Sequence, residues 1–246
     1  VLGEPAAQVR RVLCVVDCDP ETVAEATRVN ADLIVAHHPL LLRGVSSVAP
    51  TTYKGRIVHD LIRRNIALFA AHTNADVANP GVSDSLAARF GLRDLRPLSP
   101  RADNPAVGLG RIGELPAPLT LAELTDLTAR LLPATAWGVR AAGEPDRLVR
   151  TVALCGGAGD SLLRASAAAG ADAFLTADLR HHPASEPIAD GGPALLDAAH
   201  WATERPWLDD LASWLSATFA LTVLVSDLET DPWTLHSPSK PAFSQG

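Results

Sequence analysis

Three short apolar runs, at residues 12–16 (VLCVV), 33–36 (LIVA) and 66–71, alternate with helix-forming segments, and each stops at a polar loop. Runs of this length, rich in Val, Leu and Ile, read as strands buried on both faces. Alternation with helices implies parallel strands with helices packed outside them, an α/β fold. Asp19 and Pro20 open the first helix as N-cap and first helical residue, and the pattern continues to about Val29. A second helix is expected over 55–64. Ser83 is expected to cap a third, which ends near Gly91.

Residues 92–105 are rich in Arg, Pro, Asp and Asn and read as a linker. Beyond it Thr120-x-x-Glu123 forms a capping box for a helix ending near Pro133. Strands are expected at 137–140, 149–155, 173–176, 194–196 and 221–225, with helices at 160–169 and 201–215. This gives an N-terminal α/β lobe and linker (1–105), a C-terminal α/β lobe (106–230) and a weakly ordered tail (231–246). The lobes echo one another. Residues 31–36 (ADLIVA) match 171–176 (ADAFLT), and both segments soon reach a His-His-Pro triplet, at 37–39 and 181–183. The triplets are out of register, since position 38 is matched by Asp178. Two similar lobes from an internal duplication, with a site in the cleft between them, are the expected architecture.

The 246 residues contain no apolar run of the ~18 that a membrane span needs and no signal-peptide pattern. A net charge of −7 argues against a surface devoted to nucleic acid, and clusters such as Arg56, Arg63 and Arg64 read as solvated helix faces. The cysteines Cys14, Cys18 and Cys155 describe neither a disulfide framework nor a zinc ribbon, so a reducing, cytoplasmic setting is expected. Cys14 and Cys155 read as buried, and Cys18 as facing a cleft. The chain begins at Val1 and holds no Met, which reads as a sequence trimmed or recorded in part.

Chemistry concentrates where strands end. His37 and His38 follow the second strand directly, and adjacent imidazoles in extended backbone point in different directions. His72, Asn74 and Asp76 follow the third. His200 and Glu204 lie four residues apart on a predicted helix and so share a face. An open α/β sheet gathers such loops at one edge. His37, His38, Asp76, His200 and Glu204 exceed what one tetrahedral zinc needs and suit two divalent ions about 3.5–4 Å apart. The set is compatible with zinc, iron, manganese, cobalt or nickel, of which the first three are favoured, and it lacks the thiolates of a structural zinc site. His72 and His181 are placed as groups that move protons, and His181 with His182 as lining the same cleft. The turn at Gly156, Gly157 and Gly159 is open to two readings, a packing turn or a phosphate cradle, and packing is preferred because the spacing matches no phosphate-binding motif. Trp201, Trp207 and Trp214 read as core or subunit contacts.

The strings IVAHHPLL, AHTNADVANPGVSDSLA, GGAGDSLL and GADAFLTADLRHHP, followed by a late His-x-x-x-Glu, resemble the Nif-three-like family, also labelled GTP cyclohydrolase I type 2. The likeness runs in order from about Val12 to Val225. It implies a two-lobed α/β protein with a dinuclear metal site in the cleft, assembled as a ring-shaped homohexamer. The matching ligand positions are the same five residues. Two departures stand out: the family's helical segment before the first strand, with its Asp-Asn-x-Gly stretch, is absent here, and 246 residues leave no room for the domain that longer relatives insert between the lobes. The expected function is a dinuclear metal-dependent hydrolase acting on a nucleotide or other polar phosphate-bearing small molecule, with GTP ring opening as one candidate reaction. The alternative is a metal-binding oligomeric scaffold or regulator without turnover.

Overall fold

The computed structural model describes residues 2–237. Part of the tail expected to be weakly ordered, 238–246, lies outside the described residues. Two sheets organise the chain. The first consists of β1 (Arg11–Val15), β2 (Leu33–Ala36), β3 (Ala67–Ala70) and β10 (Thr222–Val225) in the order β10-β1-β2-β3, all parallel. The second holds β4 (Arg93–Pro100), β5 (Gly108–Thr120), β6 (Val139–Ala142), β7 (Leu148–Ala158), β8 (Ala173–Ala177) and β9 (Ala194–Ala198) in the order β4-β5-β7-β8-β9-β6. There β7, β8 and β9 are parallel, while β4, β5 and β6 pair antiparallel.

On one face of the first sheet lie α1 (Pro20–Arg28) and α2 (Tyr53–Arg64), packing Val23, Ala26, Ile57 and Leu61 against Leu13, Ile34 and Leu68. On its other face, α8 (His200–Thr218) touches β1 and β10 and also reaches β7 of the second sheet. Beside it runs α4 (Val82–Arg89). These two helices are the shared core between the sheets, where Leu86, Trp207 and Leu208 meet Cys14, Val35, Leu154 and Leu196. Burial of such side chains contributes about 1.5–3 kcal/mol each.

Five features depart from the sequence reading. The proposed linker at 92–105 contains β4, paired antiparallel with β5. It is an edge strand, largely exposed, and an edge tolerates Pro97 and Pro100 because no ladder partner needs their missing N–H. The 13-residue β5 was not foreseen, since its three glycines, two prolines and an irregularity between Glu114 and Leu119 hide the period-2 pattern. Residues 222–225 return to the first sheet as its edge strand, so the chain does not divide cleanly at 105/106. A short helix, α7 (His181–Ala189), was also not foreseen; its sequence contains two prolines. Ser83 is not the cap of α4. The helix starts at Val82, and Asp84 Oδ2 accepts the Gly81 N–H at 2.7 Å.

A buried ion pair fastens the lobes together. Arg111 of β5, 1 % exposed, donates from Nε and Nη2 to the two carboxylate oxygens of Asp84 on α4 at 2.8 and 2.6 Å. Its remaining N–H groups reach the carbonyls of Gly108, Gly110 and Ala78 at 2.5–2.8 Å. All five guanidinium donors are therefore matched, as burial of this cation requires. Ala78 and Gly81 bound the turn after α3 (Thr73–Val77), the helix that carries Asp76, so the pair also fixes one side of the candidate site.

Candidate metal centre

Both sheets turn the C-terminal ends of their parallel strands toward one cleft. His37 and His38 continue the ladder past β2, their N–H groups donating to Val15 and Val16 carbonyls at 3.0 and 2.8 Å. That extended backbone sends the two rings in different directions. His72 follows β3, Asp76 lies on α3, and His200 and Glu204 occupy the first turns of α8 directly after β9.

The side chains converge. One donor atom from each of His37, His38 and His72 lies within 4.8 Å of the others, and the same holds for His38, His200 and Glu204. Glu204, 3 % exposed, stands at the middle, with Oε1 3.1 Å from His200 Nε2 and 3.4 Å from His37 Nε2, and Oε2 3.1 Å from His38 Nε2. Asp76 Oδ1 is 3.6 Å from His37 Nε2. All five residues expected as ligands are thus brought together, with His72 beside them.

Each imidazole is held from behind. His37 Nδ1 lies 2.9 Å from the Ala71 carbonyl, His38 Nδ1 2.8 Å from Asp17 Oδ1, and His200 Nδ1 2.7 Å from Asp178 Oδ2. An acceptor at Nδ1 fixes the tautomer with its proton there and leaves the Nε2 lone pair facing inward. Asp17 and Asp178 were missed as functional residues. Their signal was weak but present: Asp17 ends the first strand as His37 ends the second, and Asp178 occupies the position equivalent to His38 in the second lobe.

Two buried atoms, His37 Nε2 and Glu204 Oε2, have no hydrogen-bond partner among the described residues. Buried polar atoms are normally satisfied, so this pair marks a place fitted to something else. Three neutral-capable imidazoles and two carboxylates form a donor set for a divalent cation. Electrostatics agree. Burial alone would raise the Glu204 carboxyl, but the surrounding His200, His37 and His38 outweigh it and hold the group well below the usual range. Burial likewise disfavours charge on His38 and His200, yet their carboxylate neighbours prevail and push them up to about 9 and about 10. Burial lifts Asp76 to about 6 against the pull of His37. Metal-free, the cluster therefore stores protons that a cation would displace.

Gly157 explains why the end of β7 is glycine-rich. At φ +66°, any Cβ there would lie 2.3 Å from Glu204 Oε1 and 2.8 Å from His200 Nε2. Its N–H donates to Thr203 Oγ1 at 2.8 Å, and its carbonyl accepts from Thr176 Oγ1 at 2.8 Å. The turn packs on the donor cluster, in line with the preferred packing reading.

The site opens into a cavity of about 800 Å³ that Cys18, Tyr53, Lys54, His72, Asp76 and Cys155 help to line. His72 is half-buried; burial and the neighbouring His37 and His38 lower its pKa. His181 is exposed, its ring against His182 at 5.0 Å, and it lines a different groove beside Ile188 and Arg140. It is not part of the donor cluster, contrary to its expected place. Cys14, Cys18 and Cys155 are all buried, and desolvation pushes each thiol up to about 12. Trp207 packs edge-on to His37 at 5.4 Å and Trp201 is buried, whereas Trp214 is 57 % exposed.

Comparison with known proteins agrees with this picture. Residues 1–232 match the model of the family described as Duf34/NIF3 (NGG1p interacting factor 3). A Streptomyces coelicolor protein named "GTP cyclohydrolase 1 type 2 homolog" is 55 % identical over 99 % of this chain and 88 % of its own length. A Mycobacterium tuberculosis protein of the same name is 36 % identical over 96 % of this chain and 90 % of its own, in an alignment of 343 positions. That alignment exceeds the 246 residues here, so the relative carries inserted residues. Among solved structures, a Bacillus cereus protein related to NIF3 superposes with a TM-score of 0.89 at 23 % identity, covering 96 % of this chain and 92 % of that one. A Staphylococcus aureus hypothetical protein superposes at 0.88 with 26 % identity, covering 96 % and 90 %. Among the described residues, no helix is long and apolar enough to cross a membrane. With nearly its whole length covered by the family model and by relatives well above 30 % identity, the chain belongs to the Duf34/NIF3 family.

Proposed function

We propose that the chain is a dinuclear metal-dependent hydrolase for a nucleotide or another polar, phosphate-bearing small molecule. The observation that carries this reading is the convergence of His37, His38, Asp76, His200 and Glu204 around two buried atoms without hydrogen-bond partners. These five would hold two divalent ions, with zinc, iron or manganese the favoured identities. Ions bound there supply an acidified water and stabilise the negative charge that develops on attack.

The chain's own residues do the rest. The Ala71 carbonyl, Asp17 and Asp178 keep three imidazoles oriented inward. Glu204 reaches His37, His38 and His200 at once, so it would help to hold an ion together with any of them. His72, half-buried at the cavity wall with its pKa lowered by burial, is the residue to take a proton from the attacking water. His181 lines another groove, and the proton-moving role passes to His72 alone. The relatives' name makes ring opening of a guanine nucleotide the first reaction to try. The same reading includes a cytoplasmic setting and a homo-oligomer, a ring of six by resemblance.

A second reading is favoured by the family description, which names interaction with another protein: a metal-binding scaffold without turnover. Metal analysis of freshly purified protein, with GTP and phosphoester hydrolysis assayed in parallel, separates the two. Roughly two metals per chain, lost together with an activity in His37→Ala and Glu204→Ala, are expected. Metal without activity supports the scaffold, and wild type free of metal without any exposure to chelator would remove both readings.

A further inference from the structure

A second cavity, of about 520 Å³, adjoins the same histidines and has no part in the chemistry above. His38 and His200 line it together with Trp137, Trp233, Arg140 and Arg180. Its aromatic side is built rather than incidental. Arg140 donates from Nε to Asp197 Oδ2 at 2.7 Å and from Nη2 to the Leu179 carbonyl at 3.0 Å, and its guanidinium lies 4.6 Å from the centre of the Trp137 ring. Trp137 in turn meets Trp233, with ring centroids 5.7 Å apart and planes tilted by 38°.

Trp233 comes from the C-terminal segment, which is anchored beside the metal ligands. Thr230 Oγ1 donates to Asp17 Oδ2 at 2.5 Å, the carboxylate that also orients His38, and buried Asp231 accepts the Trp233 N–H at 2.9 Å. The indole is nonetheless 57 % exposed, although exposing so large an apolar ring gives the chain no folding benefit. The carboxylates that line this cavity, Asp17, Asp178 and Asp231, are engaged by His38, His200 and the Trp233 backbone N–H. What remains open is indole surface and guanidinium N–H: Arg140 uses two of its five donors, and Arg180, 76 % exposed, is tied only to Asp160 at 3.1 Å.

Indole faces stack planar bases of any sequence, and free guanidinium forks take phosphate. We propose that this cavity is the nucleotide-recognition pocket of the metal site, with the base against Trp233 and Trp137 and the phosphate at Arg180 and Arg140. The proposal rests on the hydrolase reading and specifies its substrate class, a purine mononucleotide or a larger molecule carrying one.

Calorimetric titration of the full chain with GMP, guanosine and ribose 5-phosphate separates the two halves of the pocket, in protein as purified and after chelator treatment. Trp233→Ala should weaken GMP and guanosine about tenfold, the size of one lost stacking contact, and leave ribose 5-phosphate unchanged. Arg180→Ala should weaken GMP and ribose 5-phosphate but not guanosine. Both side chains are exposed and neither touches a metal ligand, so fold and metal content should match wild type in each variant. GMP affinity unaltered in both variants, or no GMP binding to wild type, overturns the pocket. Binding that follows this pattern without any turnover leaves the pocket standing and removes the hydrolase reading instead.

Discussion

The two β-α-β units of the molecule, β1-α1-β2 and β7-α6-β8 (α6 spanning Leu163–Ala168), share a backbone frame and differ in the residues that follow it. In the first, Asp32 Oδ2 accepts the N–H groups of Arg10 and Arg11 at 2.8 and 2.9 Å. In the second, Asp172 Oδ2 accepts those of Arg150 and Thr151 at 2.9 and 2.8 Å. The Asp32 N–H returns to Arg11 O at 2.8 Å, as the Asp172 N–H returns to Thr151 O at 2.9 Å. This likeness extends the echo of 31–36 in 171–176 from sequence to backbone hydrogen bonds. Beyond the strands they part. The first unit ends in His37 and His38, whereas the second ends in Ala177 and Asp178, the latter at φ 59° and bonded to His200. After its second strand, one unit presents donors and the other presents the carboxylate that aims His200. The frame is generic; the one or two residues after each strand assign the chemistry.

The largest effect should come from separating the lobes' shared fastening. Arg111→Met leaves Asp84, largely buried on α4, without its cation, which costs about 3–5 kcal/mol. For a chain of this size that is a fall in Tm of about 6–20 °C, read by calorimetry. If instead the melting point holds, the lobes are fastened by the α4 and α8 apolar core alone. Next in size are the carboxylates behind the histidines. Asp17→Asn and Asp178→Asn should each lower metal affinity by about 10–100-fold, measured by competition with a chromophoric chelator. Equal losses would mean that both lobes contribute equally to orienting ligands. A loss confined to Asp17→Asn would mean that His200 needs no carboxylate behind it to serve as a ligand.

How much of this was legible follows the same division. The five donor residues were readable because each sits in the polar segment that follows an apolar run, directly for His37 and His38 and five residues on for Asp76, or at an i, i+4 helical spacing, and these are local signals. The carboxylates Asp17 and Asp178 orient rings contributed by other elements, 21 and 22 residues away in sequence, and no local pattern encodes such a pairing. Arg111 was hidden more thoroughly. It lies in β5, whose Gly108, Gly110, Gly113, Pro116 and Pro118 suggest a loop, and its burial depends on Asp84 and the Ala78 carbonyl, both far away in sequence, beside the Gly108 and Gly110 carbonyls of its own strand. His181 misled for the opposite reason. The His-His-Pro triplet copies the look of 37–39, but His37 extends a strand while His181 begins α7, so its ring turns toward another groove.

The smallest expected effect tests the frame itself. Asp32→Ala and Asp172→Ala each remove one carboxylate that accepts two backbone N–H groups at the rim of a sheet, and each should cost about 1–2 kcal/mol, read as a lower urea midpoint with unchanged slope. The first variant carries a pH signature as well. Hydrogen bonds from the Arg10 and Arg11 N–H groups hold the Asp32 carboxyl below its ordinary value. A group depressed in the folded state stabilises fully above the unfolded value of about 3.9, and the benefit disappears as pH falls through the lower native value. Wild type and Asp32→Ala should therefore differ at pH 7 and converge in strong acid. Matching costs for the two variants would place the energetic likeness of the lobes in their frames. A clear inequality would mean that similar hydrogen bonds are held on unequal scaffolds, and that the echo between the lobes is one of geometry alone.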